Sequence, residues 1–152
     1  MMKKLTMALA VFGAVTAAAL MTRPPEARAL TPEALCFEGR WEEHASYGHQ
    51  RFTFHLRLEP SAGADVDGVF TWRQEDVTGS EADNGRTGRE YLAGRRAGTG
   101  FEVAGVRVSD PTLLGLDAYR IGQKGDAITG ASRTDERDWS GRLTGRRVAC
   151  LE

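Results

Sequence analysis

The chain has 152 residues, 41% of them hydrophobic and 27% charged, with a formal net charge of −1. That length fits one domain of ordinary size. The near-balanced charge argues against a nucleic-acid binder, which needs concentrated basic surface. Arg95-Arg96 and Arg146-Arg147 are only pairs inside strand-like runs, as expected of solvated strand faces.

The first element is a leader. Met1-Met2-Lys3-Lys4 is a basic start, Leu5 to Met21 is mostly apolar, and Ala27-Arg28-Ala29 is a small-x-small cleavage signal. The pattern predicts a signal peptide over 1–29 and a domain over 30–152. The apolar run is short for a membrane span, and no second segment is long enough for one. Removing residues 1–29 from 152 leaves 123. The leader holds Lys3, Lys4, Arg23, Arg28 and Glu26, so 20 basic and 21 acidic residues fall to 16 and 20, a balance of −4. Export to the periplasm or the medium is expected. Cys36 lies well beyond the cleavage signal, which argues against a lipid anchor.

Short apolar/polar alternation follows. Arg51-Phe52-Thr53-Phe54-His55-Leu56-Arg57-Leu58 puts four apolar side chains on one face and four polar ones on the other. Runs of this kind predict strands near 37–45, 51–59, 66–74, 87–96, 100–108, 116–122, 126–133 and 138–148. Turn residues separate them at Pro60-Ser61-Ala62-Gly63, Asp83-Asn84-Gly85, Ala97-Gly98-Thr99-Gly100, Asp110-Pro111 and Lys124-Gly125-Asp126. No gap could hold a crossover helix, so an antiparallel meander is expected. The alternation slips near Gly105 and after Arg147, where bulges would restore it.

The two cysteines bear on closure. If the first and last strands of an eight-strand meander pair, the start of one lies beside the end of the other. Cys36 and Cys150 occupy those places. Oxidation outside the cytosol would let them form a disulfide across the seam. The expected fold is therefore all-β: an eight-stranded antiparallel up-and-down barrel closed by a terminal disulfide, in preference to an open sandwich.

Gly39-Arg40-Trp41 on the first strand, with Arg146 or Arg147 late in the last, resembles the signature of the calycins, the lipocalin and avidin barrels. Cys36, three residues before Gly39, is similar to the start of avidins. The resemblance implies that Trp41 plugs the closed end with a basic side chain of the last strand across it. No Thr-Asp-Tyr-like motif, terminal helix or biotin-binding pattern accompanies these residues. The resemblance thus implies a fold and a binding style, without a ligand.

Meander parity brings the loops at 44–50, 75–86, 109–115 and 134–137 to one end, the open end. They are longer than those opposite and suit a site held by a rigid scaffold. Trp72 and Trp139 fall at this end, as does Tyr47 with His44 and His49 beside it. Aromatic rings at a barrel mouth suit stacking on a small ring or sugar. Trp72 also shares the phase of Phe70, as a core residue would. The candidate ligand-binding set is Tyr47, Trp72 and Trp139, with His44, His49 and Glu75 supplying hydrogen bonds. The histidine spacing matches no metal motif, and Glu75, Asp76, Glu81 and Asp83 lack the spacing of a calcium loop. No metal or cofactor is expected.

No Gly-x-Ser-x-Gly elbow occurs, and Glu42-Glu43 and Glu75-Asp76 would point to opposite faces of their strands. The expectation is a non-catalytic module for a small, partly apolar or glycan ligand. An inhibitor of an extracellular or periplasmic hydrolase, binding a protein partner through its loops, is the alternative. An enzyme is third, and a buried carboxylate or histidine facing a cavity would favour it.

Overall fold

A computed structural model describes residues 33–46, 48–135 and 137–151 of the chain. The expected leader over 1–29 and the candidate Tyr47 lie outside these residues. Eight strands form: β1 (Leu35–Ala45), β2 (Gly48–Pro60), β3 (Asp65–Val77), β4 (Thr87–Ala97), β5 (Gly100–Val108), β6 (Asp117–Lys124), β7 (Ala127–Thr134) and β8 (Gly141–Val148). A 3-10 turn, Glu81–Asp83, interrupts the β3–β4 loop. Each strand pairs antiparallel with its neighbour in the chain, and β8 pairs with β1 to close the barrel. Among the described residues no helix is long and apolar enough to cross a membrane.

Closure depends on the seam. Cys36 lies opposite Val148, Gly39 opposite Gly145 and Trp41 opposite Leu143. Cys36 and Cys150 form a disulfide with their Cα atoms 5.2 Å apart. The two seam glycines meet where the Phe54 ring fills the interior. A Cβ on Gly39 would lie 2.7 Å from Phe54 Cζ and 2.1 Å from the Thr144 carbonyl oxygen. The strands can approach here only because both positions lack a side chain.

The alternation read in β2 sets the interior. Phe52, Phe54, Leu56 and Leu58 all point inward and are buried. Phe37, Leu56, Leu58, Val66, Phe70 and Ile128 fill the half of the barrel beside the disulfide, each at most 1% exposed. The expected slip near Gly105 is a bulge: Arg107 opposes Tyr91 while Gly105 opposes Leu92, leaving Val106 unpaired. A second bulge lies at Glu75, where Asp76 opposes Arg51 and Gln74 opposes Phe52. The bulge expected after Arg147 does not form, because β8 keeps a regular register with β1 through Val148. The chain simply leaves the sheet there toward Cys150.

The arrangement expected around Trp41 also differs. Trp41 is buried, at 7% exposure, but it lies level with Phe52 and Leu143 in the open half. Its Nε1 donates to Ser132 Oγ at 2.8 Å, and among the described residues no basic side chain stacks on its ring. Strand parity explains why. Arg146 is three residues from Leu143, so it points outward, is 76% exposed and pairs with Glu38. Arg147 shares the phase of Leu143 but lies four residues, roughly 13 Å, further toward the disulfide end. There it is exposed, and its backbone N–H donates to the Asp126 carbonyl.

Candidate ligand site at the open end

The loops that follow β1, β3, β5 and β7 share one end of the barrel, as parity requires. Beneath them the interior is hollow. A cavity of about 240 Å³ enters the barrel and stops at a packed floor. Trp72 forms that floor, stacked on Phe70 with ring centroids 4.3 Å apart. Trp41, Phe52 and Tyr119 wall it with further rings. Trp41 and Phe52 meet edge-to-face at 5.8 Å, and Tyr119 lies 6.3 Å from Trp72. Such packing fixes ring positions before anything binds.

Three acidic side chains line the same space: Glu43 of β1, Glu90 of β4 and Asp117 of β6. Glu90 occupies the inward phase between Gly88 and Leu92 and is 1% exposed. Its Oε2 accepts from Tyr119 Oη at 2.6 Å and from Trp72 Nε1 at 3.2 Å. Its Oε1 accepts from the Asp117 backbone N–H at 3.0 Å. Gly105 makes room for the carboxyl, since a Cβ there would lie 2.2 Å from Oε1. Burial outweighs the three donors and pushes Glu90 up from 4.5 to about 7. Asp117 is raised too, first by burial and then by the nearby charge of Glu43, although Thr134 Oγ1 donates to it at 2.6 Å. Tyr119 is driven well above its ordinary value by burial and by Glu90. Glu43 accepts from Ser140 Oγ, which ties β1 to the loop before β8.

The β5–β6 loop roofs the cavity. Leu113 and Leu114 pack down against the core, and Leu114 rests on Gly88, where a Cβ would come within 2.7 Å of it. The loop is held at its edge by Arg86. That guanidinium donates to Asp110 at 2.5 Å, to Thr112 Oγ1 at 3.1 Å and to Asp83 at 2.7 Å. The β3–β4 loop is fixed by the buried amide of Gln74, which donates to the Ser80 carbonyl and to Asn84 Oδ1.

Of the candidate ligand-binding residues, Trp72 lies in this cavity. Trp139 belongs to the same end but sits outside the barrel wall, its ring between the guanidinium groups of Arg120 (4.3 Å) and Arg133 (4.9 Å). His44 and His49 face each other across β1 and β2 on the outer side of the rim, 6.3 Å apart. His49 Nε2 bonds Asp76 at 2.7 Å. Glu75, at its bulge, also points outward and accepts from Thr53 Oγ1 at 2.9 Å. The parity of the loops thus gathers these residues at one end, and the pleat divides them between its two faces.

The acidic lining and the leucine roof escaped the sequence reading. Glu90 carries a signal there, since it shares its phase with Leu92, whereas Arg89 and Tyr91 take the other face. Leu113 and Leu114 fall in a turn region without alternation, and only the tertiary contact reveals their role. Among the described residues, no group of three or more His, Cys, Asp or Glu is arranged to hold a metal ion. No family model matches the chain, and no curated protein or solved structure shows significant similarity to it.

Proposed function

We propose that the chain is an exported, calycin-like binding module without catalytic activity, which takes a small, partly apolar ligand into the open end of its barrel. The observation that carries this reading is the cavity. A barrel serving only as a loop scaffold gains stability by filling its interior, because empty space forfeits contacts. This one is packed at the disulfide end and hollow under its longest loops. Its wall combines fixed aromatic rings with a few polar groups, the usual make-up of a small-molecule site. The disulfide supports residence outside the cytosol.

Native mass spectrometry of protein purified from its own cell envelope tests the reading. A bound small molecule is expected, and Trp72→Ala should release it while leaving the protein folded. Ligand-free protein that also ignores a broad panel of ring-sized compounds would count against a binding module.

Glu90 favours a second reading. A buried carboxyl on a cavity, with an ionisation near neutrality, suits a general acid or base. If the protein turns over a compound that it binds, and Glu90→Gln abolishes turnover while preserving binding, catalysis replaces simple binding.

A further inference from the structure

We infer, building on the binding reading, that the ligand is a small organic cation, one ring in bulk, whose charged nitrogen is received by Glu90 and Asp117 among the rings of Trp41, Trp72 and Tyr119. Size is the first ground. About 240 Å³ falls below the roughly 300–1,000 Å³ of pockets for drug-sized compounds.

Charge is the second. Glu43, Glu90 and Asp117 reach the cavity from β1, β4 and β6, three strands that do not pair with one another, so closure of the barrel assembles them. The groups that donate to Glu90 and Asp117 are the Trp72 indole, the Tyr119 phenol, an amide N–H and hydroxyls, all neutral. Neutral donors satisfy lone pairs but do not cancel charge, and burying carboxylates without a counter-ion is costly. Arg137 is the only basic residue among the described residues lining the cavity. It is exposed at the mouth and can balance at most one of Glu90 and Asp117. A ligand cation would supply the balancing charge that a proton otherwise supplies. A neutral ligand would leave the proton in place, and an anion would be repelled.

The rings are the third ground. Indole and phenol faces attract cations through their quadrupoles, most strongly when water is excluded. An aromatic box with carboxylates at its side therefore holds both parts of such a ligand: rings for the apolar body, acids for the nitrogen.

Binding should be linked to proton release. Facing Glu90 are Trp72 from β3, Asp117 and Tyr119 from β6, Glu43 across the cavity from β1, and Arg137 at the rim. A cation favours the ionised carboxyl, so acid must weaken binding as protons compete for it.

Benzamidinium, benzamide and benzoate form a nearly isosteric series of cation, neutral molecule and anion. Titration calorimetry of the three with the disulfide-bonded protein separates charge from shape. Benzamidinium should bind at least about tenfold tighter than benzamide, and benzoate should not compete. Its affinity should fall several-fold between about pH 8 and about pH 6, while that of benzamide stays level. Glu90→Gln and Asp117→Asn should each remove most of the preference for the cation and keep benzamide binding. Glu43→Gln, nearer the mouth, serves if either variant fails to fold. Equal affinity for benzamidinium and benzamide, or tighter binding of benzoate, would overturn the charge inference and leave the pocket reading standing. If folded protein binds none of the three, both fall.

Discussion

At the scale of single residues, Glu90 is where the fold and the site conflict. Its carboxyl is pushed from 4.5 to about 7 by burial, so between those values the folded protein holds a proton that the unfolded chain has released. Glu90 therefore contributes stability that is complete below about pH 4.5 and is lost as pH rises through 7. The difference of about 2.5 units corresponds to ~3 kcal/mol. Glu90→Gln should remove this dependence: urea melts of the variant should show a midpoint that rises relative to wild type as pH passes from acid to mildly alkaline. A constant offset between the two proteins across that range would mean that Glu90 is already ionised in acid. Trp41 offers a contrasting case. It is buried, edge-to-face with Phe52 and Trp72, and bonded to the buried Ser132. Trp41→Ala should cost ~3–5 kcal/mol as a large-to-small core change. Trp41→Phe should cost ~1–3 kcal/mol, from the lost ring volume and the lost indole donor to Ser132 Oγ, whose own hydroxyl keeps Asp117 as partner. If the alanine variant loses less than about 1 kcal/mol in denaturant melts, the ring is not part of the core.

At the scale of elements, the strands were legible and the roof was not, for one physical reason. Period-two alternation is a local signal, and in β2 it survives because one face meets the core and the other meets water. The slip at Gly105 was visible for the same reason, since a bulge breaks that alternation. The glycine and the unpaired Val106 beside it now explain how Glu90 fits inside. The bulge at Glu75 was hidden, because polar residues surround it and no apolar phase exists to be broken. Alternation from Trp72 already puts Glu75 on the outer face; the bulge turns Asp76 to that face as well, where it meets His49, so the two acids do not point to opposite faces as their adjacency predicts. The β5–β6 loop has no periodicity at all. Its place over the cavity comes from Leu113 and Leu114 packing on distant strands and from Arg86 holding Asp110 and Thr112. Arg86→Ala should free this roof without unfolding the barrel. Hydrogen exchange at 109–116 should quicken, the melting temperature should barely change, and any ligand should dissociate several-fold faster. Unchanged exchange in that loop would show that the leucine contacts alone hold it down.

At the scale of the whole molecule, the barrel is divided along its axis. One end is filled and riveted, the other is hollow and lined by aromatic rings and acids. The rivet closes a loop spanning 114 residues across the β1–β8 seam. In the chain-entropy model a loop of that size is worth ~4–5 kcal/mol, because the bond removes open conformations from the unfolded chain rather than adding contacts to the folded one. Reduction, or paired Cys36→Ser and Cys150→Ser substitution, should therefore lower the urea midpoint markedly and leave the spectrum of the folded protein nearly unchanged. The order of local opening follows from the topology. Every strand has two neighbours, so no sheet edge is bare. Once the bond is gone, β1 and β8 are the strands that reach the chain ends and can peel from each other first. Their amides should lose protection from hydrogen exchange before those of β2 and β3. The cavity lies at the opposite end, so ligand affinity measured well below the unfolding transition should survive reduction. If reduction abolishes binding while the barrel stays folded, the two ends are coupled through the seam. If it leaves the urea midpoint unmoved, the bond is not what keeps the barrel shut.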